Sequence, residues 1–126
     1  MLELIAVATG GAVGSVARWG LGRMLSAWLP GLPAGTFVAN VAAGLVIGLI
    51  SGAHAVSPLP EPARLALTVG LCGGLSTFST FSNETLQMAE AGNLPGAAAN
   101  VLLNVSTCLA AVWLGTRLGG QLASLS

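Results

Sequence analysis

Four long apolar stretches, separated by short clusters of proline, glycine and charge, organise this chain. The first runs from about Leu4 to Trp28 and stops at Pro30-Gly31-Leu32-Pro33. The second, Gly35 to Val56, carries no formal charge and gives way to Pro58, Pro60, Glu61, Pro62 and Arg64. The third starts at Leu65, is uncharged as far as Asn83, and continues past Glu84 to the connection between Glu90 and Pro95. The fourth, Gly96 to Thr116, ends at Arg117. Each is close to the ~20 apolar residues that a helix needs to cross a hydrocarbon core. The alternation of polar and apolar positions that marks a membrane β-strand is missing. The pattern predicts an all-α integral membrane protein, a single domain of four transmembrane helices over about residues 4–28, 35–56, 65–88 and 96–117. The first stretch reads as a span and not as a cleaved leader, because Glu3 stands where a basic segment would be and the apolar run is long.

Composition narrows the class. Of 126 residues, 54% are hydrophobic and 6% charged, where a soluble domain carries about 25% charged residues. Mean hydropathy is +0.85. So few charges do not cover a compact soluble surface. A net charge of zero and two cysteines argue against a nucleic-acid binder and a disulfide scaffold. Four spans put both termini on one side of the membrane. All basic residues are arginines: Arg18 and Arg23 lie toward the far side, and Arg64 and Arg117 toward the side of the termini. By the positive-inside rule this balance sets no preferred orientation. It fits insertion in both orientations and an antiparallel homodimer; a bias too weak to show in four residues is the alternative.

Glycines recur at four-residue intervals, as in Gly10 and Gly14, Gly44 and Gly48, and Gly70 and Gly74. Small residues at that spacing let membrane helices approach closely. Polar residues inside the spans are costly and are candidates for function. Thr36 and Asn40 lie on the second helix. Asn100, Asn104 and Cys108 share one face of the fourth at i, i+4 and i+8.

The third stretch contains the densest polar run, Gly70-Leu71-Cys72-Gly73-Gly74-Leu75-Ser76-Thr77-Phe78-Ser79-Thr80-Phe81-Ser82-Asn83-Glu84. Gly73-Gly74 followed by Ser76-Thr77 predicts a local break in the helix. Irregular backbone at membrane depth is tolerated only against protein or a water-filled cavity. Freed carbonyls at such a break can hold a cation, and half-helix N-termini attract anions. Phe78 and Phe81, two of only three phenylalanines, fall at i, i+3 beside the break, and are expected to face nearly the same way. The positive edge of a phenyl ring can stabilise an anion; filling the core is the competing role.

The string Gly70 to Phe81 resembles the third-helix signature of the Fluc (CrcB) fluoride channels. Gly10-Gly11, Gly14 and Arg18-Trp19 resemble that family's first-helix pattern, and Gly35-Thr36, Asn40 and Gly44 its second. The similarity spans the whole chain. It implies a fluoride-selective channel, not an enzyme, that lets cytoplasmic fluoride leave passively across the bacterial inner membrane. It further implies a dual-topology antiparallel homodimer embedded in membrane lipid, with no nucleic-acid partner. Phe78 and Phe81 would present ring edges to the ion, with Ser79 and Thr80 as donors between them. Asn40 would line the pore, Glu84 would stand near a pore mouth, and Arg18, which matches a first-helix arginine, would be a further pore residue. Asn104 and Cys108 would add a fourth-helix contribution, although Cys108 stands where serine is common and Asn100 where an aromatic residue is. A structural sodium ion would be held by the backbone carbonyls of Gly73 and Ser76 from both subunits.

The alternative reading is a small proton-coupled multidrug exporter of four-helix, dual-topology type. It requires a membrane-buried carboxylate on the first helix, where the chain offers only Glu3 at the very start. A purely structural subunit would leave the third-helix break without a purpose.

Overall fold

The computed structural model describes residues 1–126, all of its regular structure helical. α1 covers Leu2–Trp28 and α2 covers Ala34–Val56. The third span is composite. It begins as α3 (Glu61–Leu65), widens into the π-helical segment π1 (Ala66–Cys72), and closes with the short α4 (Gly73–Leu75). After a break at Ser76–Thr77 it resumes as α5 (Phe78–Glu90). α6 covers Leu94–Ser124 and so runs on past Arg117. The four resulting spans are all long and apolar enough to cross a membrane.

The turns follow from local chemistry. Gly31, at φ +82°, turns the chain from α1 to α2, and Gly92, at φ +84°, ends α5. At that second turn the Asn93 N–H reaches back to Met88 C=O at 2.9 Å, the six-to-one bond of a glycine-terminated helix. Asn93 Oδ1 then accepts from the Gly96 N–H at 3.0 Å and starts α6. In the loop after α2, His54 Nδ1 accepts from the Leu59 N–H at 3.0 Å. The histidine is thus a loop fastener.

Two glycine seams hold the bundle together. α2 packs along α6, and α1 along π1 and α4. A Cβ added at Gly48 would lie 2.9 Å from Thr116 N and 3.1 Å from Gly115 Cα. One added at Gly70 would lie 2.7 Å from the Val7 carbonyl oxygen and 3.0 Å from Gly10 Cα. At both seams backbone rests on backbone, the packing available where lipid supplies no hydrophobic drive between helices. The buried core is correspondingly made of small groups, Ala39, Ala43 and Cys72 with Leu75. Most large apolar side chains point outward.

The break falls where the sequence predicts one, in the second half of the Gly73–Thr77 segment. Gly73 and Gly74 stay helical, with Gly73 at φ −64°, ψ −38°, and the chain opens only at Ser76 (ψ 155°) and Thr77 (φ −153°, ψ 120°). Gly74 is needed for packing, because a Cβ there would lie 3.0 Å from Ser15 N. Ser76 and Thr77, unlike glycine, carry hydroxyls that can bond backbone at an interrupted helix.

Gly48→Ala is expected to lower stability by about 1–3 kcal/mol, the usual cost of overpacking a tight contact. Gly20→Ala, with nothing within 4 Å of the added methyl, is expected to be neutral or to gain up to ~1 kcal/mol from helix propensity. Thermal unfolding of the two variants in detergent measures the difference, and equal midpoints would refute the seam.

Candidate functional site

The site grows out of the interrupted third span. Ser76 lies 15 residues after Glu61 and 14 before Glu90, hence at the middle of that span. In a continuous α-helix the N–H of residue i donates to the carbonyl of residue i−4. Here that ladder is redirected. The Thr77 N–H, which would have served Gly73, donates to Asn40 Oδ1 at 2.7 Å. The Thr80 N–H, which would have served Ser76, donates to Thr77 Oγ1 at 3.2 Å, capping α5. Ser76 N and Oγ both turn back to the Cys72 carbonyl, at 2.9 and 2.8 Å. Arg18 Nε donates to the Gly74 carbonyl at 3.0 Å. The carbonyls of Gly73 and Ser76 have therefore lost their helical donors.

Asn40, on α2, answers both groups of the Thr77 residue. Its Oδ1 takes the N–H, while its Nδ2 donates to the Thr77 carbonyl at 3.3 Å and to Asn104 Oδ1 at 3.4 Å. Asn104 is oriented in turn: its Nδ2 donates to the carbonyl and Oδ1 of Asn100, at 2.9 and 3.0 Å. Asn100 Nδ2 donates to Thr85 Oγ1 at 2.9 Å. One polar chain thus runs from α5 through α6 and α2 to the break. Leaving such groups bare at membrane depth would cost several kcal/mol each.

The α5 N-terminus carries the ring pair and a cluster of hydroxyls. Thr77 Oγ1 lies 3.2 Å from Ser79 Oγ and 3.1 Å from Thr80 Oγ1. The Phe78 and Phe81 rings are 5.5 Å apart between centroids and tilted by 54°. They are not equivalent, contrary to the expectation that they face alike. Phe81 is 7% exposed and Phe78 is 77% exposed. Three residues of helix rotate the second ring about 60° from the first, enough to bury Phe81 and leave Phe78 outside.

Both rings border an open groove of about 400 Å³, which Asn40, Gly73, Ser76 and Thr77 also line, with Asn104 and Cys108 of α6. Glu84 stands apart from it, near the α1–α2 end. Its Oε1 accepts from the Thr36 hydroxyl at 2.8 Å, and its buried Oε2 has no partner. Glu84 shares a second groove with Arg18, Arg23, Thr36 and Thr80. Arg18, proposed from the sequence as a pore residue, touches that groove while its Nε serves the Gly74 carbonyl.

Two contributors escape a sequence reading. Thr85 accepts from Asn100 and is signalled only by lying four residues beyond Phe81, on the same helix face. Thr68 lines the main groove from π1, a placement that depends on the π-helical widening. No group of three or more His, Cys, Asp or Glu side chains is placed to hold a metal; any cation site here would be built from carbonyls.

Asn40→Ala leaves the Thr77 N–H without its acceptor, and a loss of about 1–3 kcal/mol is expected for an unsatisfied buried group. Asn40→Gln, which keeps both the acceptor and the donor, should recover part of it. Chemical or thermal unfolding of both variants in detergent reports the order; equal losses would show that the exchange with Thr77 contributes nothing.

Comparison with known proteins agrees with this architecture. Residues 5–116 match the family model described as CrcB-like protein, Camphor Resistance (CrcB). The chain is 47% identical over 114 residues to the fluoride-specific ion channel FluC of Paraburkholderia xenovorans, with 90% of each chain covered. It is 44% identical over 117 residues to the protein of the same name in Geobacter metallireducens, covering 91% of this chain and 94% of that one. Identity to the fluoride-specific ion channel FluC 2 of Symbiobacterium thermophilum is 45% over 115 residues, covering 89% and 93%. With a family match across nearly all of its length and the four-span, broken-helix architecture described above, the chain belongs to the CrcB family.

Proposed function

We propose that this protein is a fluoride-selective channel of the bacterial inner membrane that lets cytoplasmic fluoride leave passively. The observation that carries the reading is the α5 N-terminus at mid-membrane, where hydroxyls and two phenyl rings meet beside an open groove. Fluoride is small and strongly hydrated, so a filter must replace its water with closely placed donors. Thr77, Ser79 and Thr80 supply hydroxyls, and the positive end of the α5 dipole adds to them. The edges of Phe78 and Phe81 give a weakly attractive wall that does not trap the ion. Asn40 holds the break open from α2, Asn104 and Cys108 continue the polar lining along α6, and Glu84 with Arg18 stands toward one end of the path. The chemistry is passage and not catalysis. An exporter driven by protons would need a carboxylate buried in α1, and Glu3 is exposed at its first turn.

The working unit in this proposal is an antiparallel homodimer. The main groove is open along one side of the single chain, and Phe78 is exposed within it; a second copy would close the groove and enclose a path. The carbonyls of Gly73 and Ser76, freed from the helical ladder and lining the same groove, fit a sodium ion shared with the partner. Such an ion would supply fixed positive charge beside the anion path.

Fluoride efflux from liposomes containing the purified protein, with chloride as comparison, tests the function. Rapid fluoride efflux with little chloride efflux is expected, and Phe81→Ile should slow it by about tenfold, the effect of ~1.4 kcal/mol on a barrier. Absence of flux from folded protein would overturn the proposal. Replacing sodium by a large organic cation throughout purification is expected to lower the unfolding temperature and the flux together. Unchanged values would remove sodium from the structure.

A further inference from the structure

The hydroxyl of Thr85 has a single hydrogen, and that hydrogen is spent. It is donated to the Phe81 carbonyl, four residues earlier on α5, at 2.7 Å. The Thr85 oxygen is left to accept, and Asn100 Nδ2 donates to it at 2.9 Å. With its nitrogen so engaged, Asn100 offers its Oδ1 to Asn104 Nδ2, at 3.0 Å. Asn104 in turn offers its oxygen to Asn40 Nδ2 at 3.4 Å, and Asn40 offers its own to the Thr77 N–H at 2.7 Å. These bonds form a circuit that leaves α5 at Phe81, crosses α6 and α2, and returns to the third span at Thr77.

Direction is what this circuit carries. An amide side chain turned by half a rotation exchanges oxygen for nitrogen, and a hydroxyl can exchange donor for acceptor. Backbone groups can do neither. Here both ends are backbone, a carbonyl at Phe81 and an N–H at Thr77, and a single order of donors satisfies the two together. Reversing any one amide would set N–H against N–H or oxygen against oxygen. Two further backbone groups fix the same order. The Asn100 carbonyl accepts from Asn104 Nδ2 at 2.9 Å, and the Thr77 carbonyl accepts from Asn40 Nδ2 at 3.3 Å. Bonds linked head to tail in this way also polarise and strengthen one another.

Between the two ends of the circuit lies the first turn of α5, Phe78 to Phe81. That turn bears both rings and the hydroxyls of Ser79 and Thr80, and it is held at Thr77 before it and at Phe81 where it ends. Asn40, Asn104, Thr77 and both rings border the main groove, whereas Thr85 and Asn100 do not. Thr85 and Asn100 therefore act on the groove only through the residues they orient.

We propose that Thr85 and Asn100 are positioning residues of the ion path, which fix the direction of the circuit and so set where the first turn of α5 holds its hydroxyls and rings. The assignment rests on the fluoride-channel reading above. Without the Thr85 hydroxyl, Asn100 loses the partner that orients it, and the loss passes through Asn104 to the hold of Asn40 on Thr77.

Thr85→Val keeps the shape of the side chain and removes the hydroxyl. Fluoride efflux from liposomes should fall by about fivefold, the factor that one hydrogen bond of ordinary net strength makes to a rate. Thr85→Ser, which restores the hydroxyl, should recover it. Asn100→Leu should show a similar loss, and Thr85→Val combined with Asn100→Leu should be no worse than Asn100→Leu alone, because both changes open the same circuit. Thr116→Val serves as control. Its hydroxyl donates to the Val112 carbonyl at 2.8 Å on the exposed face of α6, and its removal should leave efflux unchanged. In 15N-labelled protein in detergent, the side-chain amide resonances of Asn40 and Asn104 should shift in Thr85→Val and return in Thr85→Ser. Unchanged efflux in Thr85→Val, no recovery in Thr85→Ser, additive losses in the double variant, or unshifted amides in a protein that conducts fluoride would each overturn the proposal alone. A parent protein that conducts no fluoride would overturn the channel reading, and this proposal with it.

Discussion

The exchange between Asn40 and Thr77 is the constraint on which the rest of this structure depends. A span interrupted at its midpoint exposes peptide groups where no water reaches them, and they must be answered from another helix. Asn40 can answer both because α2 lies close to the break, and α2 is held at its depth by the glycine seam with α6. Asn100 and Asn104 then settle which way the Asn40 amide faces, since Asn104 spends its own N–H groups on Asn100 and turns its oxygen to Asn40. The small-residue core follows from the same need. Large core side chains would hold α2 away, and the break would lose its partner.

This arrangement also explains why the break can be polar without being disordered. Two redirected donors have named acceptors, Asn40 for Thr77 and the Thr77 hydroxyl for Thr80, while the Ser76 N–H keeps its helical bond to the Cys72 carbonyl. What is left over is acceptor capacity on Gly73 and Ser76, two residues that border the groove. A surplus of oriented carbonyls on one side of the break and of hydroxyls on the other gives the site two polarities within a few residues.

Much of this was legible in the chain alone. Four spans follow from the spacing of apolar runs, and the polar density between Gly70 and Glu84 marks the third as the site. The break was legible to within the Gly73–Thr77 segment, though not which of its residues open. Gly73-Gly74 has the weakest helix propensity, yet in a bilayer the backbone opens where side chains can replace the lost bonds, which is at Ser76–Thr77. The unequal burial of Phe78 and Phe81 was missed because spacing gives an angle between side chains and not the position of the core. The π-helical stretch has no local signal, since it arises against α1. Arg18 looked like a residue facing an ion path, and its contact with the Gly74 carbonyl appears only when α1 is packed on α4.

The lengths of the helices carry a further consequence. α6 has 31 residues and α2 has 23, about 46 and 35 Å at 1.5 Å per residue. The seam pairs Gly52 with Gly120, each four residues before its helix ends, so the two finish level and about two turns at the start of α6 stand beyond α2 as a short post. Because backbone rests on backbone along that seam, the pair must lean as one body when the surrounding lipid thins or thickens. Hydrophobic matching then acts on the whole bundle through a single tilt, and the host bilayer's thickness becomes one of the forces that sets how the helices stand.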